Sequence, residues 1–166
     1  FLTRLGYGCD VFEAHSEPGG LMRRGIPAYR LPRDILNKEI SRITDLGVKI
    51  RCDMPITEDL LGKIRSEYNA LFIGCGFQQS IMLKIEGGDL VQDGLDFLRN
   101  LDPQKKMSFQ GTTAIVGGGN TAVDIARSLA RLGASPLIVY RRRREDMPAF
   151  EPEVAMALKE GVKIME

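Results

Sequence analysis

Short apolar runs alternate along this chain with stretches in which apolar residues recur every three or four positions. Cys9-Asp10-Val11-Phe12, Gly47-Val48-Lys49-Ile50, Ala70-Leu71-Phe72-Ile73, Thr113-Ala114-Ile115-Val116, Pro136 to Tyr140 and Gly161-Val162-Lys163-Ile164 have the length of strands. The run at Ala70–Ile73 is apolar throughout, which suits a strand covered on both faces. Between the runs lie helical stripes. Ile35, Leu36, Ile40, Ile43 and Leu46 form a buried stripe that Pro32 opens and Gly47 ends. Leu60, Leu61 and Ile64 form a second, capped by Thr57. Leu95 and Leu98 face inward on a helix over Asp93 to Leu101, and Val123, Ala126, Leu129 and Ala130 mark one from Asn120 to Leu132, stopped by Gly133. Pro18-Gly19-Gly20 and Gly25-Ile26-Pro27 predict irregular backbone with close-approach glycines, and Asp102-Pro103-Gln104-Lys105-Lys106 a polar connector. Strands alternating with helices predict an α/β fold with a parallel sheet.

The pattern partly repeats. Arg4-Leu5-Gly6 leads into a run that ends in Glu13, as Arg131-Leu132-Gly133 leads into one that ends in Arg141. Gly47-Val48-Lys49-Ile50 recurs as Gly161-Val162-Lys163-Ile164, each copy after an amphipathic helix. The shared order points to two related nucleotide-binding units. By this comparison Phe1 to Leu5 is the last turn of a helix whose glycine loop and strand lie before residue 1. The chain likewise stops inside its second Gly-Val-Lys-Ile strand. A fragment cut at both ends is therefore expected.

The chemistry concentrates after the run at Thr113–Val116. Gly117-x-Gly119-x-x-Ala122 fits the dinucleotide fingerprint. Its glycines allow a sharp turn and bring bare backbone against a pyrophosphate, and the following helix points unpaired N–H groups at that anion. At the tip of the next strand an NAD-selective site would place a carboxylate for the ribose 2′-hydroxyl. Here Arg141 and Arg142 stand instead, able to pair with a 2′-phosphate, so NADPH is favoured. Glu13, at the matching tip of the first unit, predicts an unmodified adenine dinucleotide there, FAD or NAD.

A formal net charge of +1 offers no surplus to hold nucleic acid or an anionic membrane. No run approaches the roughly 20 apolar residues of a membrane helix, and no signal-peptide pattern opens the chain, so a cytoplasmic location is expected. Cys9, Cys52 and Cys75 are too scattered for a disulfide framework or a metal site, and buried thiols are predicted. His15, the only histidine, reads as a loop residue rather than a catalyst.

Several strings in this chain resemble one family. Val11-Phe12-Glu13-Ala14 with Gly19-Gly20-Leu21, and Gly25-Ile26-Pro27-Ala28-Tyr29-Arg30-Leu31-Pro32, are similar to the flavoprotein module of the glutamate synthase small subunit. So are Gly117 to Asp124 and Tyr140-Arg141-Arg142 with Glu145-Asp146-Met147-Pro148-Ala149. Dihydropyrimidine dehydrogenase and several iron–sulfur oxidoreductases share the module. The chain departs from the family pattern at Phe77-Gln78-Gln79-Ser80-Ile81, where a small residue and a Ser-Arg pair are usual, and at Glu86, where proline is common.

The resemblance implies two nested Rossmann-like dinucleotide-binding units. Residues 1–105 would be a partial FAD-binding domain lacking its first strand and glycine loop, and 106–166 the N-terminal part of an NADPH-binding domain. It implies that NADPH reduces FAD and that electrons leave through an iron–sulfur domain or a substrate-reducing subunit, the chemistry belonging to the cofactors. Glu13 would hold the flavin ribose, Gly19, Gly20 and Leu21 would lie along the flavin, and Gly74 and Gly76 would let a second flavin strand approach. Gly117, Gly119, Asn120, Thr121 and Ala122 would carry the NADPH pyrophosphate, with Arg141 and Arg142 on the 2′-phosphate. No residue is expected to act as acid or base, and the fragment alone is expected to bind FAD weakly or not at all and to be inactive. The competing class is a nucleotide-binding or regulatory module without catalysis.

Overall fold

Parallel pairing organises both parts of the chain in the computed structural model, which describes residues 1–77, 80, 86–101, 109 and 111–166. The chain divides into two units. The first comprises Phe1–Arg24 and Ala28–Gln79, the second Gly25–Pro27 and Ser80–Glu166. The expected connector Asp102–Lys106 and the atypical Gln78, Gln79 and Ile81 lie outside the described residues.

In the first unit, a 3-10 turn over Leu2–Leu5 ends at Gly6 and leads into β1 (Asp10–Phe12). Then come α1 (Gly20–Arg24), α2 (Arg33–Thr44), β2 (Lys49–Arg51) and α3 (Glu58–Glu67). β1 and β2 are parallel, with Val11 opposite Ile50. Thr57 caps α3 as expected, its hydroxyl accepting from the Leu60 N–H at 3.3 Å. Pro32 immediately precedes α2.

Two expectations fail in this unit. Of the α2 stripe only Leu36 is buried, while Ile35, Ile43 and Leu46 are about half exposed. A two-stranded sheet of three-residue strands offers a helical face too little surface to cover it. Ala70–Ile73 forms no strand, and Phe72 is 90% exposed. A strand buried on both faces needs a ladder partner and covering layers, and among the described residues nothing pairs with this run. The irregular segment also contains a helical turn, α1, so only part of it is loop.

The second unit continues with α4 (Gly94–Arg99), β3 (Thr112–Val116), α5 (Asn120–Arg131), β4 (Ser135–Val139), α6 (Glu151–Lys159) and β5 (Lys163–Met165). Its three strands are parallel in the order β3-β4-β5. Asp93 caps α4 through the Asp96 N–H at 2.9 Å, and a hydrogen bond from Ser80 is the main reason its carboxyl sits below the ordinary range.

α5 is the centre of this unit. Val123 and Ala126 are fully enclosed, Leu129 nearly so, and they meet Ile138 of β4, Ala157 of α6 and Val162 before β5 in one core. Each large aliphatic side chain buried there contributes roughly 1.5–3 kcal/mol. The helix is buried beyond its apolar stripe, because Arg127 is also inside. Its guanidinium donates to both carboxylate oxygens of Glu160 at 2.9 Å and to Glu153, tying α5 to α6. Arg131 adds a 2.6 Å bond to Glu160.

The repeat holds in both units at the level of hydrogen bonds. Val11 faces Ile50 as Ile138 faces Ile164. Past the strand ends, the Glu13 N–H donates to Arg51 O and the Tyr140 N–H to Met165 O, both at 2.9 Å. Glu13 therefore corresponds to Tyr140. The strand-tip equivalence expected with Arg141 is shifted by one residue.

The cysteines are not buried as expected. Cys9 and Cys52 are half-buried and Cys75 is exposed, for they flank the short strands or lie in irregular backbone of the thinly covered unit. Among the described residues no cluster of His, Cys, Asp or Glu could hold a metal ion, and no helix is long and apolar enough to cross a membrane.

Candidate functional site

At the end of β3 the chain turns through Gly117, whose φ of 136° lies outside the range of an ordinary L-residue. The Gly117 N–H still donates to Val139 O at 3.0 Å, so the turn begins in ladder register. At Gly118 a Cβ would stand 2.6 Å from the Tyr140 ring. At Gly119 it would meet nothing within 4 Å. The two glycines thus serve different ends. Gly118 makes room for an aromatic ring, and Gly119 leaves the space above the turn open.

Behind that space lies the N-terminus of α5. Gly119 is its N-cap and offers no side chain, so no side-chain oxygen takes up the first N–H groups of this 12-residue helix. Such an end attracts anions through its unpaired donors and its dipole. Thr121 is exposed beside it. Ala122 is buried, with its Cβ 3.7 Å from where a Gly117 Cβ would be, holding the helix close to the strand.

The loop after β4 arches back to this turn. The Tyr140 hydroxyl donates to Asp146 O at 3.0 Å, closing the arginine segment into a ring. The Arg144 N–H donates to the Glu166 carboxylate at 3.0 Å. Met147 is buried in the core. The Ala149 N–H donates to Gly118 O at 3.1 Å, and the Phe150 N–H to Asn120 Oδ1 at 2.9 Å. From this anchored arch Arg141 and Arg142 are exposed, and neither guanidinium meets an acid among the described residues. Glu145 and Asp146 do not neutralise them. A cavity of about 390 Å³ lies on the other flank of the arch, lined by Arg144, Met147, Val154 and Leu158 among others, and includes no residue of the glycine turn.

In the first unit, Glu13 is half-buried at the tip of β1. Its carboxylate accepts the His15 N–H at 3.0 Å, and its carbonyl accepts the Met54 N–H at 2.9 Å. The Asp53 N–H in turn donates to His15 O at 3.0 Å. Asp53 has a φ of 55°, a conformation few residues without a glycine's freedom adopt. Asp10, below Glu13 on β1, receives the Tyr68 hydroxyl at 2.6 Å and the Arg51 guanidinium at 2.7 Å. The Tyr68 bond is the main reason the Asp10 carboxyl sits below, and the Tyr68 hydroxyl above, its ordinary range. His15 thus acts through its backbone.

Gly19, Gly20 and Leu21 form a separate turn. A Cβ on Gly19, at φ 127°, would stand 3.2 Å from Leu36 and 3.3 Å from Arg23. Arg23 fixes this turn, its Nε donating to Pro18 O at 2.7 Å and its Nη2 to Asn37 at 2.5 Å. Gly74 and Gly76 are exposed in a segment that belongs to no strand.

The structure therefore brings Gly117, Gly119, Asn120, Thr121 and Ala122 together with the arch that carries Arg141 and Arg142. Tyr140, Ala149 and Phe150 belong to that site; the first two stood in the strings that carry the resemblance, but the contacts all three make with the glycine turn were not evident in the sequence. Their partners on the glycine turn lie 22 to 31 residues away, and the only local signal was the return of apolar Met147 after a charged run.

The family described as pyridine nucleotide-disulphide oxidoreductase matches residues 22–165. The chain is 42% identical over 168 residues to the NADP(+)-dependent formate dehydrogenase subunit beta of Moorella thermoacetica, covering 97% of this chain and 24% of that protein. It is 36% identical over 169 residues to the NAD-dependent dihydropyrimidine dehydrogenase subunit PreT of Salmonella typhimurium, covering 99% and 41%. With the glutamate synthase [NADPH] small chain of Escherichia coli it shares 34% over 177 residues, covering 98% and 38%. The chain thus spans between about a quarter and two-fifths of the length of these relatives. The resemblance read from the sequence strings is borne out.

Proposed function

The chain belongs to the pyridine nucleotide-disulphide oxidoreductase family, and we propose that it is the NADPH- and FAD-binding oxidoreductase module of a larger electron-transfer protein. The observation that carries this reading is the open, uncapped start of α5 joined to an arch with two unneutralised arginines. A diphosphate fits the first and a 2′-phosphate the second. Backbone N–H groups at Gly119, Asn120 and Thr121 would hold the pyrophosphate, with Gly117 and Ala122 shaping the turn. Glu13, held by the His15 N–H, would accept from the flavin ribose, with Gly19, Gly20 and Leu21 along the flavin and Gly74 and Gly76 beside it. When both groups are bound, the reduced nicotinamide supplies hydride and the flavin takes it up, to release electrons one at a time. The chain's own task is to seat and orient the nucleotides and to discriminate between them.

The reading assigns two nested Rossmann-like units, a FAD-binding domain over residues 1–105 and an NADPH-binding domain over 106–166. Packing draws another line, because α4 precedes residue 106 yet its Leu98 joins the core around α5. The partner is an iron–sulfur domain or a substrate-reducing subunit, and the compartment is the cytoplasm. Names of relatives support the first, for they are subunits of dehydrogenases and a synthase.

Those relatives include both NADP- and NAD-dependent proteins, so nucleotide choice is the decisive test. Flavin reduction in the intact protein is followed with NADPH and with NADH. Replacing Arg141 and Arg142 together by alanine should raise the NADPH concentration for half-maximal rate by about 10–100-fold, from the loss of charge-assisted hydrogen bonds. The value for NADH should stay within about twofold. Equal effects on both nucleotides, or none, would overturn the assignment. Nucleotide binding without flavin reduction would leave a binding module instead of an enzyme.

A further inference from the structure

Asn120 stands at the first position of α5, where the family resemblance gave it the pyrophosphate. Its side-chain carbonyl is engaged elsewhere. Oδ1 accepts the Phe150 N–H at 2.9 Å, 30 residues along the chain. Phe150 is the N-cap of α6 and the last residue of the arginine arch. One position earlier, the Ala149 N–H donates to Gly118 O at 3.1 Å. At the arch's other foot, the Tyr140 ring fills the space that a Cβ on Gly118 would need. Both feet of the arch therefore rest on the glycine turn, and the hydroxyl of Tyr140 ties its middle at Asp146.

We infer that Asn120 is a positioning residue for 2′-phosphate selection, a tether that holds the arginine arch against the glycine turn through the Phe150 N–H. The inference deepens the proposed function and rests on its reading of Arg141 and Arg142. A guanidinium selects a phosphate only if its backbone is fixed relative to the rest of the ligand, because an unanchored arch loses ordering entropy on binding. A pyrophosphate at the helix start and a 2′-phosphate at the arch are two ends of one rigid nucleotide. The bond at Asn120 fixes the distance between their two seats. It also consumes the Asn120 carbonyl, which could only repel a diphosphate, and turns it from the helix entrance.

A tether and a pyrophosphate ligand predict different patterns. Calorimetric titration of the intact protein with NADP+ and with NAD+ measures binding without reducing the flavin. Both nucleotides carry the pyrophosphate, and only NADP+ carries the 2′-phosphate. For Asn120→Ala the tether predicts that NADP+ affinity falls about five- to tenfold, the scale of one lost backbone hydrogen bond with its ordering. NAD+ affinity should change less than about twofold. A pyrophosphate ligand predicts that both fall alike, which would overturn the inference. Unchanged affinities would overturn it too.

Two further variants test the tether without relying on alanine. Asn120→Asp keeps the acceptor for the Phe150 N–H while adding charge near the helix start. It should weaken both nucleotides together and leave their ratio at the wild-type value. Phe150→Pro removes the donor from the other side, and the native φ of −61° at Phe150 is already that of proline. It should reproduce the Asn120→Ala ratio, and combining the two should add nothing. A wild-type ratio in Phe150→Pro would overturn the tether. If the Arg141→Ala and Arg142→Ala pair abolishes NADP+ preference while Asn120→Ala and Phe150→Pro keep it, the tether alone is wrong. If the unaltered protein binds NADP+ and NAD+ equally, the arginine reading fails and the tether falls with it.

Discussion

A methyl group added at Gly119 would meet nothing, and one added at Gly118 would drive into the Tyr140 ring at 2.6 Å. That contrast makes neighbouring glycines separable by experiment. Gly119 has a φ of −87° and ψ of 175°, open to any residue, so Gly119→Ala should leave stability unchanged or raise it by up to about 1 kcal/mol through the unfolded chain. The added methyl instead occupies the approach to the α5 N-terminus. Pyridine nucleotide affinity should fall by at least about tenfold, since each lost contact to an anion is worth about 1.5–3 kcal/mol. Gly118→Ala has the opposite profile, costing about 1–3 kcal/mol of stability because the ring must move. Thermal melting beside nucleotide titration reads both, and a Gly119→Ala protein that melts normally and binds normally would show that no diphosphate sits over the turn. The glycines themselves were legible in the sequence, as were Ala122 and the arginines, because their spacing follows from the geometry of one strand–turn–helix. Asn120's partner was not. A side-chain acceptor for an N–H 30 residues away leaves no local pattern, and the residue's place in a familiar string suggested a ligand contact instead.

Helices show the same division. The stripe Val123, Ala126, Leu129 announced α5, but the burial of Arg127 on the same helix could not be read from a charged residue that has Asp124 and Arg131 at helical spacing. Two carboxylates that hold it, Glu153 in α6 and Glu160 at that helix's C-cap, lie 26 and 33 residues on. Periodicity also overstated α2, since a stripe says which face would be buried, and only a broad enough sheet buries it. The Arg127 side chain is 6% exposed, so removing Glu160 leaves a buried guanidinium without the carboxylate that takes two of its hydrogen bonds. Glu160→Ala should cost about 3 kcal/mol, and Glu153→Ala with it more, measured by urea unfolding. The pH dependence has a definite sign. Hydrogen bonds from Arg127, above all, lower the Glu160 carboxyl from its ordinary 4.5. A carboxyl with a depressed folded-state value stabilises fully above its unfolded value and loses that contribution as pH falls through the folded one. Unfolding free energy should therefore drop from about pH 4.5 downward, and Glu160→Gln should flatten that slope. A slope unchanged in Glu160→Gln would show that other carboxylates carry the acid sensitivity.

At the scale of the chain, burial is unevenly shared. Among the described residues the buried apolar side chains of the first unit are Leu36 and Ile64, while the second holds a continuous core from Leu98 to Val162. Local opening costs little where few apolar contacts must be broken, and approaches the global unfolding free energy where a core strand or helix must leave. The second unit's central amides, at Ala114, Ile115, Val123, Ala126, Leu129 and Ile138, lie in paired strands or in the enclosed helix. Those of Val11 and Ile50 lie in a two-stranded ladder only three residues long, a pairing of marginal strength alone. Ala70 to Phe77 have exposed side chains and belong to no ladder among the described residues. Amide exchange of this 166-residue chain should consequently fall into three tiers. Ala70–Phe77 should exchange almost as an unfolded peptide, β1 and β2 at intermediate rates, and α5 with β3 and β4 slowest, separated from the first tier by several orders of magnitude. The same ordering should appear in denaturant, with the first unit's amides losing protection before α5 does. If β1 and β2 were as protected as β4, stability would have to come from contacts that the buried side chains of the first unit do not supply. A single cooperative transition across all three tiers would then replace the graded picture.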